Sequence, residues 1–306
     1  MNITFVIPVF NERETLRPLA EGILQHTQGH ECRILFVDDG STDGSYEEIL
    51  ALQRDYPCVD MIRLRGNFGK SAALAAGFVH ADGDYICTMD SDLQDDPKEI
   101  PRFIEKINEG FDVVCGWKAI RHDPWHKTYP SRVYNAVVSR LFNLPIHDVN
   151  CGFKLMRKDV VRHLRLYGEM HRLIPVYAHS LNFKVTEIPV EHHRRRYGKS
   201  KFGFERFTRG AIDVLTTWFL TRYRHQPAHF FAKVGFLKIA FAFLLCILGF
   251  WISQPLARLL LLVLAIALAL GGALVVALGL FSEFVLYHFV RIDPALYIAE
   301  NETRKK

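Results

Sequence analysis

Short apolar runs alternate with segments of helical periodicity over the first part of the chain. ITFVIPV (3–9), RILFVDD (33–39), DMIRL (60–64), DYICTMD (84–90) and DVVCGW (112–117) are rich in β-branched and aromatic residues, which predicts strands. Residues 12–27, 43–55, 70–81 and 97–109 lie between them and are predicted helices. This alternation calls for an α/β fold with a doubly wound, mostly parallel sheet. Such sheets bind ligands beyond the carboxyl ends of their strands. The polar strand ends here are Asn11-Glu12, Asp38-Asp39, Asn67 to Lys70 and Asp90 to Asp92, so all four are expected to converge on one crevice.

The pattern changes near the C-terminus, where residues 230 to 290 are almost entirely apolar, in two runs parted by Ser253-Gln254-Pro255. The second run, Leu259 to Ser282, is uncharged and long enough to cross a bilayer as a helix. The first, Phe230 to Ile252, carries Lys233 and Lys238 near its start, where long side chains can snorkel to headgroups. It is read as a span, with a re-entrant or interfacial helix as the alternative. Basic residues precede the first run (Arg222, Arg224, Lys233) and follow the second (Arg291, Arg304, Lys305, Lys306), while the connection holds only Arg258. The positive-inside rule then places both hairpin ends, and the domain ahead of them, in the cytoplasm of a multi-pass protein of the cell (inner) membrane. The expected organisation is a globular domain over 1–202, an amphipathic juxtamembrane helix over 203–228, a hairpin over 229–290 with spans 229–252 and 256–282, and a cytoplasmic tail over 291–306.

Charge refines the middle of this scheme. The net charge is only +5, but from His192 to Arg224 nine Lys or Arg face only Glu205 and Asp213. Phe204, Phe207, Ala211, Val214, Leu215 and Trp218 fall near helical spacing in that stretch, the pattern of a basic helix on an anionic membrane surface. Continuation into an apolar run favours membrane over nucleic acid as the partner. The start, Met1-Asn2-Ile3-Thr4, reads as a strand without a basic leader, so no cleaved signal peptide is expected. The six cysteines form no Cys-x-x-Cys pair, which fits reduced thiols rather than a zinc site or disulfide frame.

The densest chemistry is CTMDSDLQDDP (87–97). Asp95-Asp96-Pro97 reads as a helix start, with acids at the N-terminal dipole and proline in the first turn. Asp90-Ser91-Asp92 has no such reason, because carboxylates gathered at the lip of a buried strand repel one another and lose solvation. With Gln94 they form a candidate set of hard oxygen ligands for a divalent cation carrying phosphates. Other nucleotide motifs fail: no Gly-x-Gly-x-x-Gly follows the first strand, and Gly69-Lys70-Ser71 and Gly198-Lys199-Ser200 lack the upstream glycine of a P-loop. His122 and His126 flank Pro124 and lack a third ligand, so they read as loop residues.

VIPVFNE (6–12), VDDGSTDGS (37–45), RGNFGKSAALAAGF (65–78) and DSDLQDDP (90–97) together resemble the polyprenyl-phosphate glycosyltransferases, the dolichyl-phosphate mannose synthase group of inverting glycosyltransferase family 2. The likeness continues through DVNCGFKLM (148–156), HRLIPVYA (171–178) and RRYGKSKFGFERF (195–207), and covers nearly the whole chain. It implies the Rossmann-like GT-A fold, a nucleotide sugar as donor, a polyprenyl phosphate such as undecaprenyl or dolichyl phosphate as acceptor, and Mg2+ or Mn2+ as cofactor. By the same likeness Pro8, Glu12 and Asp39 hold the nucleoside, and Asp90, Asp92 and Gln94 hold the metal. Lys70 and Arg195, with Ser200 and Lys201 of the same basic motif, bind phosphates. Arg132, with Lys118 or Arg121, receives the lipid phosphate, and Asp90, Asp92 and Arg132 are the catalytic set. Cys151 departs from the group, where Ser or Thr is usual, and puts the acceptor-loop role of Cys151-Gly152-Phe153 in question.

The chemistry agrees, because an acceptor phosphate monoester is largely dianionic at neutral pH and needs little help from a general base. The rival within the fold, a processive polysaccharide synthase, is disfavoured by the missing Gln-x-x-Arg-Trp motif and by having only two spans. A non-catalytic nucleotide-sugar-sensing subunit is opposed by the intact Asp90, Asp92 and Gln94 set. GDP-mannose and UDP-glucose both stay open as donors, as does assembly into a homo-oligomer.

Overall fold

The structure, a computed structural model, describes residues 1–119, 125–193, 205–224 and 226–289. The elements are β1 (Asn2–Val9), α1 (Arg13–His26), β2 (Glu31–Asp38), α2 (Ser45–Asp55), β3 (Val59–Arg63), α3 (Lys70–His80), β4 (Tyr85–Thr88), α4 (Ile100–Asn108), β5 (Val113–Trp117), α5 (Trp125–Phe142), β6 (Lys154–Arg157), α6 (Lys158–His163), α7 (Ile174–Ser180), β7 (Val185–Pro189), α8 (Glu205–Arg222), α9 (Pro227–Trp251) and α10 (Pro255–Phe289). Two compact units result, Met1–Trp218 and Phe219–Lys306.

The first unit is built on a seven-stranded sheet in the order β3-β2-β1-β4-β6-β5-β7. The expected strands appear within a residue or two of their predicted limits, and the pairings β3/β2, β2/β1, β1/β4 and β5/β7 are parallel. β6 was not foreseen: Lys154–Arg157 is short, carries two cations, and runs antiparallel between β4 and β5. Its reversal has a consequence for the site. The start of β6, not its end, lies beside the carboxyl end of β4, where Lys154 is the partner of Thr88. The chain entering β6, Cys151-Gly152-Phe153, is thus brought next to Asp90.

Strand faces and helix stripes bury each other as their periodicity requires. Phe5, Ile7, Leu16, Leu19, Phe36 and Phe103 belong to the core on one side, and Val6, Val37, Ala73 and Leu74 to the core on the other. α3 lies so close to the sheet that a Cβ at Gly77 would fall 2.3 Å from Val6 Cγ1, so only glycine permits the approach. This contact fixes α3 with its N-terminus at the crevice.

α8 departs from the single apolar face expected of it. Val214 is buried with Val138, Leu173 and Val176, and Thr217 is buried, whereas Ile212 and Leu215 are exposed. Spacing located a helix but could not say that the globular unit covers one side of it. Phe204 and the side chain of Phe207 lie outside the described residues.

In the second unit α9 and α10 are long and apolar enough to cross a membrane. They touch backbone to backbone: a Cβ at Gly235 would lie 2.7 Å from Gly272 O, and one at Gly272 the same 2.7 Å from Gly235 O. Arg258, the lone charge of the connection, donates to Phe250 O at 3.0 Å and to Gly249 O at 3.2 Å, the latter shared with Ile252 N, and so caps the end of α9. At the other end of α9, Glu283 accepts from Ala228 N at 3.2 Å, satisfying an N–H of its first turn.

Candidate active site

The first two strand ends are tied to each other by their own polar residues. Asn11 adopts a left-handed conformation (φ 56°), its N–H donates to Ser41 Oγ at 3.0 Å, and its Oδ1 accepts from Thr42 N at 2.8 Å. Glu12 N donates to Ser45 Oγ at 3.0 Å, and Asp43 accepts from Arg13 N at 3.2 Å and Ser45 N at 3.0 Å. The hydroxyls and acids of VDDGSTDGS are therefore the struts of the crevice wall that carries Glu12 and Asp39. Pro8 is half-buried within β1.

Asp39 is 4% exposed, and its carboxylate accepts from Phe68 N at 2.7 Å and Gly69 N at 2.8 Å. It thereby fixes the loop leading into α3. Lys70 opens that helix, where a cation opposes the helix dipole. Its compensation is direct, since the Lys70 ammonium bonds Asp90. Burial alone would raise the Asp90 carboxyl, but Lys70 and then Lys118 outweigh it and hold it well below the usual carboxylate range. Behind Asp90 stands Gly152, where a Cβ would lie 2.6–2.7 Å from the carboxylate atoms, and Thr88 Oγ1 donates to Gly152 O at 2.7 Å to keep that wall in place.

The turn after β4 orients the remaining acceptors. Asp92 is nearly buried and accepts from Gln94 N at 3.2 Å. Gln94 Nε2 donates to His193 O at 3.2 Å, which leaves Oε1 as the amide's acceptor atom. His193 N donates back to Gln94 O at 2.8 Å. Asp90, Asp92 and Gln94 are thus gathered with Lys70 at one strand end, and the segment departing at His193 starts beside them. Arg195, Ser200 and Lys201, carried by that segment, lie outside the described residues, as does Arg121.

Two expected phosphate ligands are placed differently from the rest. Lys118 points inward with a side chain 15% exposed, its ammonium 3.5 Å from the fully buried Asp95. Burial works against its charge, but Asp95 first, then Cys151 and Asp90, raise it above the ordinary lysine range. Arg132 is exposed on α5, next to the ridge Tyr129, Val133, Val137 and Leu141, whose members are between 44% and 68% exposed at four-residue spacing.

Other groups in the site were not anticipated. His171 is buried against Ser71, and Lys154 is buried with its ammonium on Cys151 O. Their signal was present, since both fall in the motifs HRLIPVYA and DVNCGFKLM, but nothing in the spacing tells which member faces the crevice. A cavity of about 460 Å³ opens beside Lys70, walled by Asn67, Phe68, Gly69, Glu169 and Asp213. Among the described residues Asp96, Glu191 and His193 also bring ligand-type atoms within 4.8 Å of one another. Lys98 lies 2.6 Å from Glu191 and 3.3 Å from Asp96.

A mostly parallel sheet with one reversed strand, and a carboxylate cluster at its switch point beside a lysine-bearing helix start, define a GT-A fold. The glycosyl transferase family 2 pattern matches residues 4–165, and the chain belongs to that family. It is 31% identical over 96% of its length to dodecaprenyl-phosphate galacturonate synthase of Rhizobium johnstonii, 90% of which is covered. It is 33% identical over 97% of its length to undecaprenyl-phosphate 4-deoxy-4-formamido-L-arabinose transferase of Edwardsiella ictaluri, 93% of which is covered. Both relatives are polyprenyl-phosphate sugar transferases. Among solved structures, glucosyl-3-phosphoglycerate synthase of Mycobacterium tuberculosis, in complex with Mn2+, UDP and phosphoglyceric acid, shares the fold with a TM-score of 0.55 at 18% identity, covering 72% of this chain and 78% of that one. The chain is a glycosyltransferase of GT-A fold with two candidate transmembrane helices.

Proposed function

We propose that the chain transfers one sugar from a nucleotide sugar to a polyprenyl phosphate at the cytoplasmic face of the cell membrane, with inversion at the anomeric carbon. The observation that carries this reading is the gathering of Asp90, Asp92, Gln94 and Lys70 at one strand end, in a chain that also holds two membrane-length apolar helices. The oxygen donors fit a hard divalent cation: the Asp90 carboxyl stays ionised, and Gln94 keeps Oε1 for a ligand. Asp90, Asp92 and Gln94 would hold Mg2+ or Mn2+, which supplies positive charge for a departing diphosphate.

The protein's own groups do the rest. Glu12 and Asp39 line the nucleoside end of the crevice, and Lys70 exchanges its bond to Asp90 for a phosphate oxygen when the donor arrives. An oxygen of the acceptor phosphate forms the new bond to the anomeric carbon as the bond to the nucleoside diphosphate breaks, and no proton has to be removed from a dianionic nucleophile. The exposed ridge of α5 rests on the lipid surface and holds Arg132 where a guanidinium can grip the lipid phosphate through paired hydrogen bonds. α9 and α10 span the bilayer with both ends in the cytoplasm. The relatives' sugars, galacturonate and formamido-arabinose, join mannose and glucose as donors to test.

The purified protein, given undecaprenyl phosphate and a panel of nucleotide sugars, should produce a lipid-linked sugar with one of them. EDTA should abolish transfer, and Mg2+ or Mn2+ should restore it. Full activity of metal-stripped protein would remove the metal from this reading.

A further inference from the structure

Beneath Lys70 lies a pair of buried groups that the transfer as described does not use. Ser71, the second residue of α3, is 3% exposed, and its Oγ meets His171 twice. The backbone N–H of His171 donates to Oγ at 3.2 Å, and Oγ lies 2.9 Å from His171 Nδ1. If Nδ1 carried the proton, Oγ would accept twice and the buried Ser71 O–H would have no acceptor, since it makes no other bond among the described residues. Satisfaction of every group requires Ser71 to donate to Nδ1, which puts the ring proton on Nε2.

Nε2 makes no hydrogen bond among the described residues, and the residue as a whole is 9% exposed. Burial first, then Lys70, Arg172 and Lys154, push His171 well below the ordinary histidine range, against a weaker pull from Asp90. The ring therefore offers a neutral N–H. Its surroundings indicate what accepts that bond. Lys70, next to Ser71, and Glu169, two residues before His171, are among the residues that wall the cavity of about 460 Å³, within the range of roughly 300–1,000 Å³ typical of small-molecule sites, and His171 stands behind this wall, close enough to feel the charges of Lys70 and Asp90. In the proposed reading, on which this inference rests, Lys70 and Asp90 serve the diphosphate. A neutral donor adds little to phosphate binding beside such charges, but it matches a neutral hydroxyl. A site built to hydrogen-bond a substrate hydroxyl also rejects analogues lacking it far more strongly than an apolar pocket can.

We propose that His171 Nε2–H donates a hydrogen bond to a hydroxyl of the sugar being transferred, with Ser71 fixing the tautomer that makes this possible. The residue is thereby a determinant of which donor sugar is accepted.

Two substitutions separate the ring nitrogens. Asn at 171 places an amide near Nδ1 and loses the donor at Nε2, whereas Gln places its amide nitrogen near Nε2. With full-length protein in detergent and Mn2+, calorimetry compares the affinity for UDP with that for UDP-glucose and UDP-galacturonic acid, and for GDP with that for GDP-mannose. Transfer to undecaprenyl phosphate is measured alongside. His171→Asn should lower affinity for the accepted nucleotide sugar and its transfer rate at least tenfold, and leave the free nucleoside diphosphate within twofold of wild type. His171→Gln should recover part of that loss. Ser71→Ala, which keeps the ring, should reduce transfer threefold to tenfold with nucleoside diphosphate affinity unchanged, and it carries the test if the Asn variant does not fold. Equal losses of nucleoside diphosphate and nucleotide sugar, or a Gln variant no better than Asn, would overturn the assignment. Absence of transfer to undecaprenyl phosphate in wild type would instead defeat the proposed acceptor, while the affinity comparison still judges His171.

Discussion

Asp43 illustrates how one side chain serves the site without lining it. Its carboxylate gathers Arg13 N, Ser45 N and the Ser45 hydroxyl, the last at 2.6 Å, and so joins the two loops that carry Glu12 and Asp39. Burial tends to raise its pKa, but the bond from the Ser45 hydroxyl and then the backbone bonds lower it on balance. A carboxyl depressed in the folded state stabilises the fold above its unfolded pKa of about 3.9, and that contribution is lost as pH falls through the lower folded value. Asp43→Ala should therefore cost about 1 kcal/mol at pH 7, and the gap to wild type should close at pH values below the ordinary carboxylate range. Denaturant unfolding of the first unit followed across pH measures both. A gap that widened on acidification would mean that Asp43 acts through something other than its charge. The motif VDDGSTDGS was legible as a ligand loop, but its bonds to Asn11, Glu12 and Arg13 were not, because partners about thirty residues apart meet only once β1 and β2 pair.

At the level of elements, glycine decides two contacts that hydrophobic patterning leaves open. Gly77 lets α3 lie against Val6, which sets the position of Lys70, and Gly235 and Gly272 let α9 and α10 touch at their backbones. Where apolar helices pack in an apolar solvent, close approach through small residues replaces the hydrophobic effect as the source of association. Gly272→Leu would place a side chain where Gly235 O and Ile239 already are, and should cost about 1–3 kcal/mol of hairpin stability. The thermal unfolding midpoint of the detergent-solubilised protein should fall accordingly. An unchanged midpoint would mean that the two helices do not rely on this crossing. Arg258 belongs to the same scale: it looked like a lone charge in a polar turn, and it is the cap of the helix before it.

For the whole molecule, the consequence to test is topology. If α9 and α10 both cross, then cysteines placed at Arg224 and at Lys306 share a compartment, and the basic residues around both put it in the cytoplasm. An impermeant thiol reagent added to intact cells should label neither. Labelling of position 306 alone would mean that only one of the helices spans.

The alternation of strand and helix, the acidic strand ends and the apolar C-terminal stretch are local properties, so they could be read from the chain alone. Period and composition mark most of the segments that form strands or helices, and Asp90-Ser91-Asp92 becomes a candidate cation site only together with the motifs around it. What required the tertiary structure was partnership. Lys154–Arg157 becomes a strand only because β4 and β5 leave a slot between them, and its reversed direction is what sets Gly152 behind Asp90. Lys118 and Lys70 look equivalent along the sequence, yet one is folded onto Asp95 and the other onto Asp90 at the crevice. Ser71 and His171 are a hundred residues apart, and the hydrogen bond that selects the histidine's tautomer exists only once α3 and the turn before α7 are packed together.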